Sequence, residues 1–178
     1  MGKILVLSLV SSFGTYAIAA NAVGNAIALF QILPGMAINL AVTTVIARCV
    51  GAGDYEQVRY YNKKLIIITH VSIALTVFGV FAVLPWILKA YNLSDVTAEA
   101  TRNIIYFPGI SAILIWPSSF TLPSTFRASG DVKACMYISM ISMWIFRVAF
   151  SFVLGKYMGM GVFGIWAAMV IDWAFRGL

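Results

Sequence analysis

The chain has 178 residues, 62% of them hydrophobic and 10% charged, with a mean hydropathy of +0.95 and a formal net charge of +6. A soluble domain carries roughly 25% charged residues, and so few charges, gathered in short loops, would leave a water-soluble globule uncovered. The composition excludes one and predicts a polytopic membrane protein. The bases fall between apolar runs, where membrane proteins keep Lys and Arg on the cytoplasmic side; they do not form the clustered patch that neutralises nucleic-acid phosphates, so no nucleic-acid partner is expected. Cys49 and Cys135 are single and far apart, with no Cys-x-x-Cys pair and one His in the chain, so neither a metal site nor a disulfide framework is expected.

The opening, Met1-Gly2-Lys3 with Ile4 to Val10 and Ala17-Ile18-Ala19, has the outline of a secretory signal. Apolar sequence nevertheless continues to Ala47 and no soluble mature domain follows. Between Lys3 and Arg48 lie about 44 uncharged residues, and a spanning helix needs only about 20, so this run turns once, at Ser11 to Thr15, where hydroxyls and a glycine can end a helix. The first helix, 3–12, is then too short to span, like the tail of a helix that begins earlier. The second, 17–50, holds Pro34-Gly35, which removes a backbone hydrogen bond and predicts a kink. Ala20, Gly24 and Ala28 recur every fourth residue, the spacing that lets helices approach closely in lipid. Asn21, Asn25 and Asn39 are polar at membrane depth and are expected to face protein or a cavity.

Gly51-Ala52-Gly53 ends this helix, and Asp54 with Gln57 fits a capping box for the next. A nucleotide-binding glycine loop is excluded, since Glu56 stands where the third glycine belongs and no strand precedes it. The third span, 65–88, ends at Pro85-Trp86 and contains His70, close enough to Lys64 to lie near the headgroups; a structural role fits it better than proton relay. Ser94 or Asp95 caps the approach to the fourth span, 103–126. There Pro108, Pro117 and Pro123 predict a helix broken more than once, either lining a pathway or bending around its neighbours. Asp131 is placed to cap the fifth span, 132–154, on which Met136, Met140, Met143 and Arg147 share one face. Such a face suits an adaptable apolar ligand or ordinary packing. Arg147 lies about 12 Å in from the Gly155 end, so it must snorkel, pair or touch water. The last span, 161–178, carries Asp172 and Arg176 in the favourable order for a helical ion pair.

Six segments place Lys3, Arg48, Arg59, Lys63, Lys64, Arg127, Lys133 and Arg176 on one side and Lys89, Arg102 and Lys156 on the other, eight against three. This puts both termini in the cytoplasm. One His and one intramembrane carboxylate assemble no nucleophile, base and orienting acid, so no enzyme and no catalytic residues are expected.

The motifs Phe13-Gly14-Thr15-x-Ala17-Ile18-Ala19-Ala20, Pro34-Gly35, Gly51-Ala52-Gly53, Pro123-Ser124-x-Phe126-Arg127-Ala128-x-Gly130-Asp131, Met143-Trp144-x-x-Arg147, Gly161-Val162-x-Gly164-x-Trp166 and Asp172-Trp173-x-x-Arg176 together resemble the multidrug and toxic compound extrusion family. The resemblance covers nearly the whole chain. It implies an all-α polytopic bundle, half of a twelve-helix two-lobe transporter, with about five complete spans and an incomplete first helix. It further implies a secondary active antiporter in a bacterial-type cytoplasmic membrane, exchanging a small-molecule drug or metabolite for sodium ions or protons, with no cofactor. Its partners would be the lipid bilayer and a missing N-terminal six-helix lobe, without which this half is expected to be inactive. Cavity or coupling roles are expected among Asn21, Asn25, Asn39, Met140, Arg147 and Asp172, while Arg127 and Asp131 read as anchor and cap. A lipid-linked oligosaccharide flippase and a non-transporting membrane subunit stand as alternatives.

Overall fold

A computed structural model describes residues 2–177. Six helical rods follow one another through short turns: α1 (Gly2–Ser11), α2 (Thr15–Gly51), α3 (Tyr55–Ala90), α4 (Asp95–Ala128), α5 (Val132–Tyr157) and α6 (Gly161–Gly177). There is no strand among the described residues. Four of the rods, α2 to α5, are long and apolar enough to cross a membrane. α6 has 17 described residues, at the short end of the lengths that cross a membrane, and the all-α membrane bundle expected from the sequence is the one observed. Leu178, placed at the end of the last expected span, lies outside the described residues.

The turns follow from local chemistry. Gly53 adopts a left-handed φ of 73° after α2, a conformation a side chain would oppose. Asp54 then caps α3, its Oδ1 accepting from the Gln57 amide at 3.0 Å. The reciprocal half of the expected capping box is altered, since Nε2 of Gln57 donates to Oδ2 of Asp54 at 2.8 Å and not to the backbone. Asp131 occupies the N-cap of α5, yet its side chain makes no capping bond. Ser94 occupies that of α4 and bonds the Thr97 hydroxyl at 2.8 Å.

The expectation that α4 is broken at its prolines is overturned. It is helical from Asp95 to Ala128, widening into a π-helical segment at Pro117–Thr121, where the Leu122 amide reaches back to the Pro117 carbonyl. A proline forfeits one donor, and hydroxyls together with π turns can absorb the disturbance without ending the helix. Here Ser119 and Ser124 lie 2.9 and 2.8 Å from the carbonyls of Ile115 and Phe120. Two further π segments, Met143–Ala149 and Val153–Tyr157, fall in α5. The Pro34-Gly35 step likewise leaves α2 helical throughout.

The packing has the polarity of a protein in lipid. Leu40, Leu75, Phe30 and Trp86 point outward, whereas Thr69, Thr97, Thr101, Thr121, Ser142 and Ser151 are buried. Without a hydrophobic force between helices, association in lipid relies on small residues and interhelical hydrogen bonds. Gly24 and Gly35 illustrate the first: a Cβ on Gly24 would meet Ile104 at 2.7 Å, and one on Gly35 would meet Trp116 at 2.6 Å. Ala20 and Gly24 are buried on the same stripe, as the four-residue spacing predicted. The second is seen where Thr76 of α3 donates to the Gln31 carbonyl of α2 at 2.9 Å and Thr125 of α4 donates to Asn62 of α3 at 2.7 Å. α4 lies at the centre, half of its apolar stretch being buried against about a fifth in α2, α3 and α5. It joins an apolar cluster with α2 and α3 (Val23, Ile27, Leu84, Ile105) to one reaching α6 (Ile73, Val77, Trp116, Trp173).

Candidate functional site

The site is built on α6, which the π segments of α4 and α5 flank. Small residues bring its backbone close to α5: a Cβ on Gly164 would stand 2.7 Å from the carbonyl carbon of Leu154. Just over two turns beyond this contact, Asp172 is fully buried. Its Oδ1 accepts from Nε of Arg176 at 3.1 Å, and Nη2 of Arg176 lies 3.0 Å from Oδ2, so the helical ion pair expected from their spacing forms. Ser142 of α5 donates to Oδ1 as well. From α5, Nη1 of Arg147 comes within 3.9 Å of Oδ2, and neither guanidinium is aligned to make that oxygen a hydrogen-bond acceptor. Arg176 also lies over the Phe120 ring, 5.8 Å from its centre, and Ser119 bonds the Trp173 carbonyl. Two arginines and one carboxylate are thus enclosed among α4, α5 and α6. Arg176 is consequently no loop charge, and the sidedness count becomes seven against three, keeping its sign.

Beside this cluster a cavity of about 290 Å³ opens between α1, α2, α5 and α6, lined by Asn21, Asn25, Arg147, Ser151, Trp166 and Met169 among others. Asn21 accepts from the Trp166 indole at 3.1 Å, and Asn25 donates to the Asn21 carbonyl at 2.8 Å. Asn21 and Asn25 of α2 and Arg147 of α5 thus line the same cavity, and Asp172 lies 3.9 Å from Arg147.

The other expected positions lie apart. Met140 and Met136 are half exposed and are not among the residues that line the cavity. Asn39 is partly buried; its Oδ1 has no partner among the described residues, and its carbonyl accepts from Thr43 at 3.0 Å. His70 bonds the Ile66 carbonyl at 2.9 Å through Nδ1. Cys49 is buried and Cys135 partly so, both as free thiols. Gln31 was not singled out by its sequence context, yet it is buried with Nε2 unpartnered among the described residues. A glutamine in an apolar run was the available signal.

A helical bundle with an apolar outer face and a buried ion cluster beside a polar cavity defines a polytopic integral membrane protein with a hydrophilic interior. The chain belongs to the MatE family, whose family model matches residues 1–153, in agreement with the resemblance carried by the sequence motifs. It is similar to the probable multidrug resistance protein YoeA of Bacillus subtilis (strain 168), with 23% identity over 93% of this chain and 36% of that protein. It is also similar to the uncharacterized transporter YisQ of the same organism, 26% identical over all of this chain and 39% of that protein. The probable multidrug resistance protein NorM of Thermotoga maritima is 24% identical over 98% of this chain and 38% of its own length. The chain thus spans less than two fifths of the curated relatives it matches. No solved structure matches significantly.

Proposed function

We propose that the chain is the C-terminal lobe of a secondary active efflux antiporter that exports drug-like or metabolite substrates in exchange for sodium ions or protons. The family match over residues 1–153 carries this reading, and the multidrug resistance named for two of the relatives supports the substrate class. The polar groups that Asn21, Asn25 and Arg147 contribute to the cavity lining suit a lobe that presents a hydrophilic surface to a pathway. Transport proceeds by rocking of this lobe against an N-terminal partner lobe, with cation and substrate favouring different states. Asp172 is held by Arg176 and Ser142 and positions Arg147; the carboxylate that exchanges the cation belongs to the partner lobe. Both termini of the chain lie on the cytoplasmic side of a bacterial-type cytoplasmic membrane.

The test is a gradient-driven transport assay in everted vesicles, using the chain expressed with its flanking coding sequence and, separately, by itself. A panel of drug-like compounds is expected to move in response to an imposed sodium or proton gradient in the first case and not in the second. The reading is lost if neither gradient moves any compound in the longer protein.

A further inference from the structure

Asp172, Arg147 and Arg176 bring one negative and two positive formal charges together, and the one anion is already engaged. Arg176 lies 3.0 and 3.1 Å from the two carboxylate oxygens, and Ser142 donates to the same group. Arg147 reaches Oδ2 only at 3.9 Å, beyond hydrogen-bonding range, and its guanidinium makes no hydrogen bond with any described residue. A guanidinium has five N–H donors and no acceptor, and although Arg147 is ion-paired with Asp172, N–H donors left without a hydrogen bond at membrane depth are costly. Arg147 keeps 28% of its side chain accessible, and it lines the cavity.

We propose that this cavity is a binding site for a small organic monoanion, an apolar or aromatic body bearing a single carboxylate or phosphodiester group, held by Arg147. The planar fork of a guanidinium matches an oxyanion in two parallel hydrogen bonds. Asn21 is oriented to assist: the Trp166 indole can only donate, so the amide oxygen faces it at 3.1 Å and the Asn21 Nδ2 remains a free donor. Trp166 and Met169 supply the apolar part of the wall, with methionine adapting to the shape of the body. One surplus positive charge selects one negative charge, and a cationic compound would meet like charge in a low dielectric. The site rests on the transport reading for its purpose, as the place where this lobe distinguishes its substrate, and on the charge count for its binding.

The same oxyanion chemistry occurs on lipid headgroups, so both sources enter the test. Equilibrium dialysis of the purified chain in non-ionic detergent compares 2-naphthoate with its uncharged analogue 2-naphthamide. Naphthoate is expected to bind saturably and the amide weakly. Arg147→Gln should weaken naphthoate binding about tenfold or more and leave the amide unchanged, while Arg147→Lys keeps part of the affinity. Asn25→Asp, which adds a carboxylate to the lining of the same cavity, should also reduce naphthoate binding, and it decides the matter should Arg147→Gln fail to fold. Competition by added phosphatidylglycerol but not phosphatidylcholine identifies a lipid headgroup as an occupant, and no competition by either identifies a soluble anion. Equal binding of naphthoate and naphthamide, or naphthoate binding indifferent to Arg147→Gln and Asn25→Asp, overturns the proposal and leaves Arg147 as a hydrated structural arginine. Arg147-dependent binding without gradient-driven transport would sink the antiporter reading and spare the site; drug export without naphthoate binding would do the reverse.

Discussion

Nη2 of Arg176 lies 3.0 Å from Oδ2 of Asp172 one turn earlier on α6, and the fully buried carboxylate is thereby tied to the guanidinium that most nearly neutralises it. The pair also serves as the anchor for α5, because Ser142 and Arg147 converge on the same carboxylate.

Removing the charge on Asp172 leaves two arginines enclosed without their shared partner. Breaking a buried pair at one end costs about 3–5 kcal/mol, so Asp172→Asn is expected to lower the thermal unfolding midpoint markedly in detergent. The double variant Asp172→Asn with Arg176→Gln removes both charges and should recover much of the loss. Circular dichroism melts of the two variants and both parents provide the cycle; additive losses would mean that the pair contributes no coupling.

The contact between α6 and α5 depends on a missing side chain. A Cβ on Gly164 would lie 2.7 Å from the Leu154 carbonyl carbon, which is backbone and has little room to retreat. Gly164→Val is expected to destabilise by about 1–3 kcal/mol and to loosen the seating of Arg147 on Asp172. Gly79 on α3 has nothing within 4 Å of its would-be Cβ, so Gly79→Ala should be neutral or stabilising by about 0.5–1 kcal/mol. Denaturation of the two variants side by side reads the difference, and similar losses would mean that the approach of α6 to α5 is not what Gly164 provides.

Gly35 is expected to act through Trp116. A Cβ there would come within 2.6 Å of the indole, so Gly35→Ala should destabilise, and shortening the neighbour with Trp116→Leu should offset part of that loss in the double variant. Gly35 would owe its place to backbone bending at Pro34 if the second substitution gave no relief.

Much of this arrangement was open to reading from residue order because it is local. The Asp172–Arg176 pair follows from a four-residue spacing, the buried Ala20 and Gly24 follow from the same spacing on α2, and the cap at Asp54 needed only its neighbour Gln57. Arg147 was recognisable as an intramembrane charge that required a partner. Its meeting with Asp172 was not, since the two stand on different helices whose rotation is set by contacts such as Gly164 against Leu154. Asn21 and Trp166, 145 residues apart, are hidden for the same reason. The prolines of α4 misled because a missing donor resembles a helix end. Whether the helix stops or widens depends on hydroxyls such as Ser119 and on the neighbour that accepts from it, here the Trp173 carbonyl. For the methionine face of α5, periodicity places Met136 and Met140 on a common side without saying what that side meets.

Sidedness rests on the loops that remain once Arg176 is assigned to the interior. Arg48, Arg59, Lys63 and Lys64 gather around the α2–α3 turn, against Lys89 at the α3–α4 turn, and the bias of bases toward the cytoplasm predicts that the first turn is inside. With Cys49 and Cys135 replaced by Ala, single cysteines at Lys63 and Lys89 report the orientation to a membrane-impermeant maleimide. In intact cells the Lys89→Cys protein is expected to be labelled and the Lys63→Cys protein protected until the membrane is opened. Inverse labelling would turn α2 to α5 over and place both termini outside. Equal labelling of both positions in sealed cells would mean that α3 does not cross the bilayer.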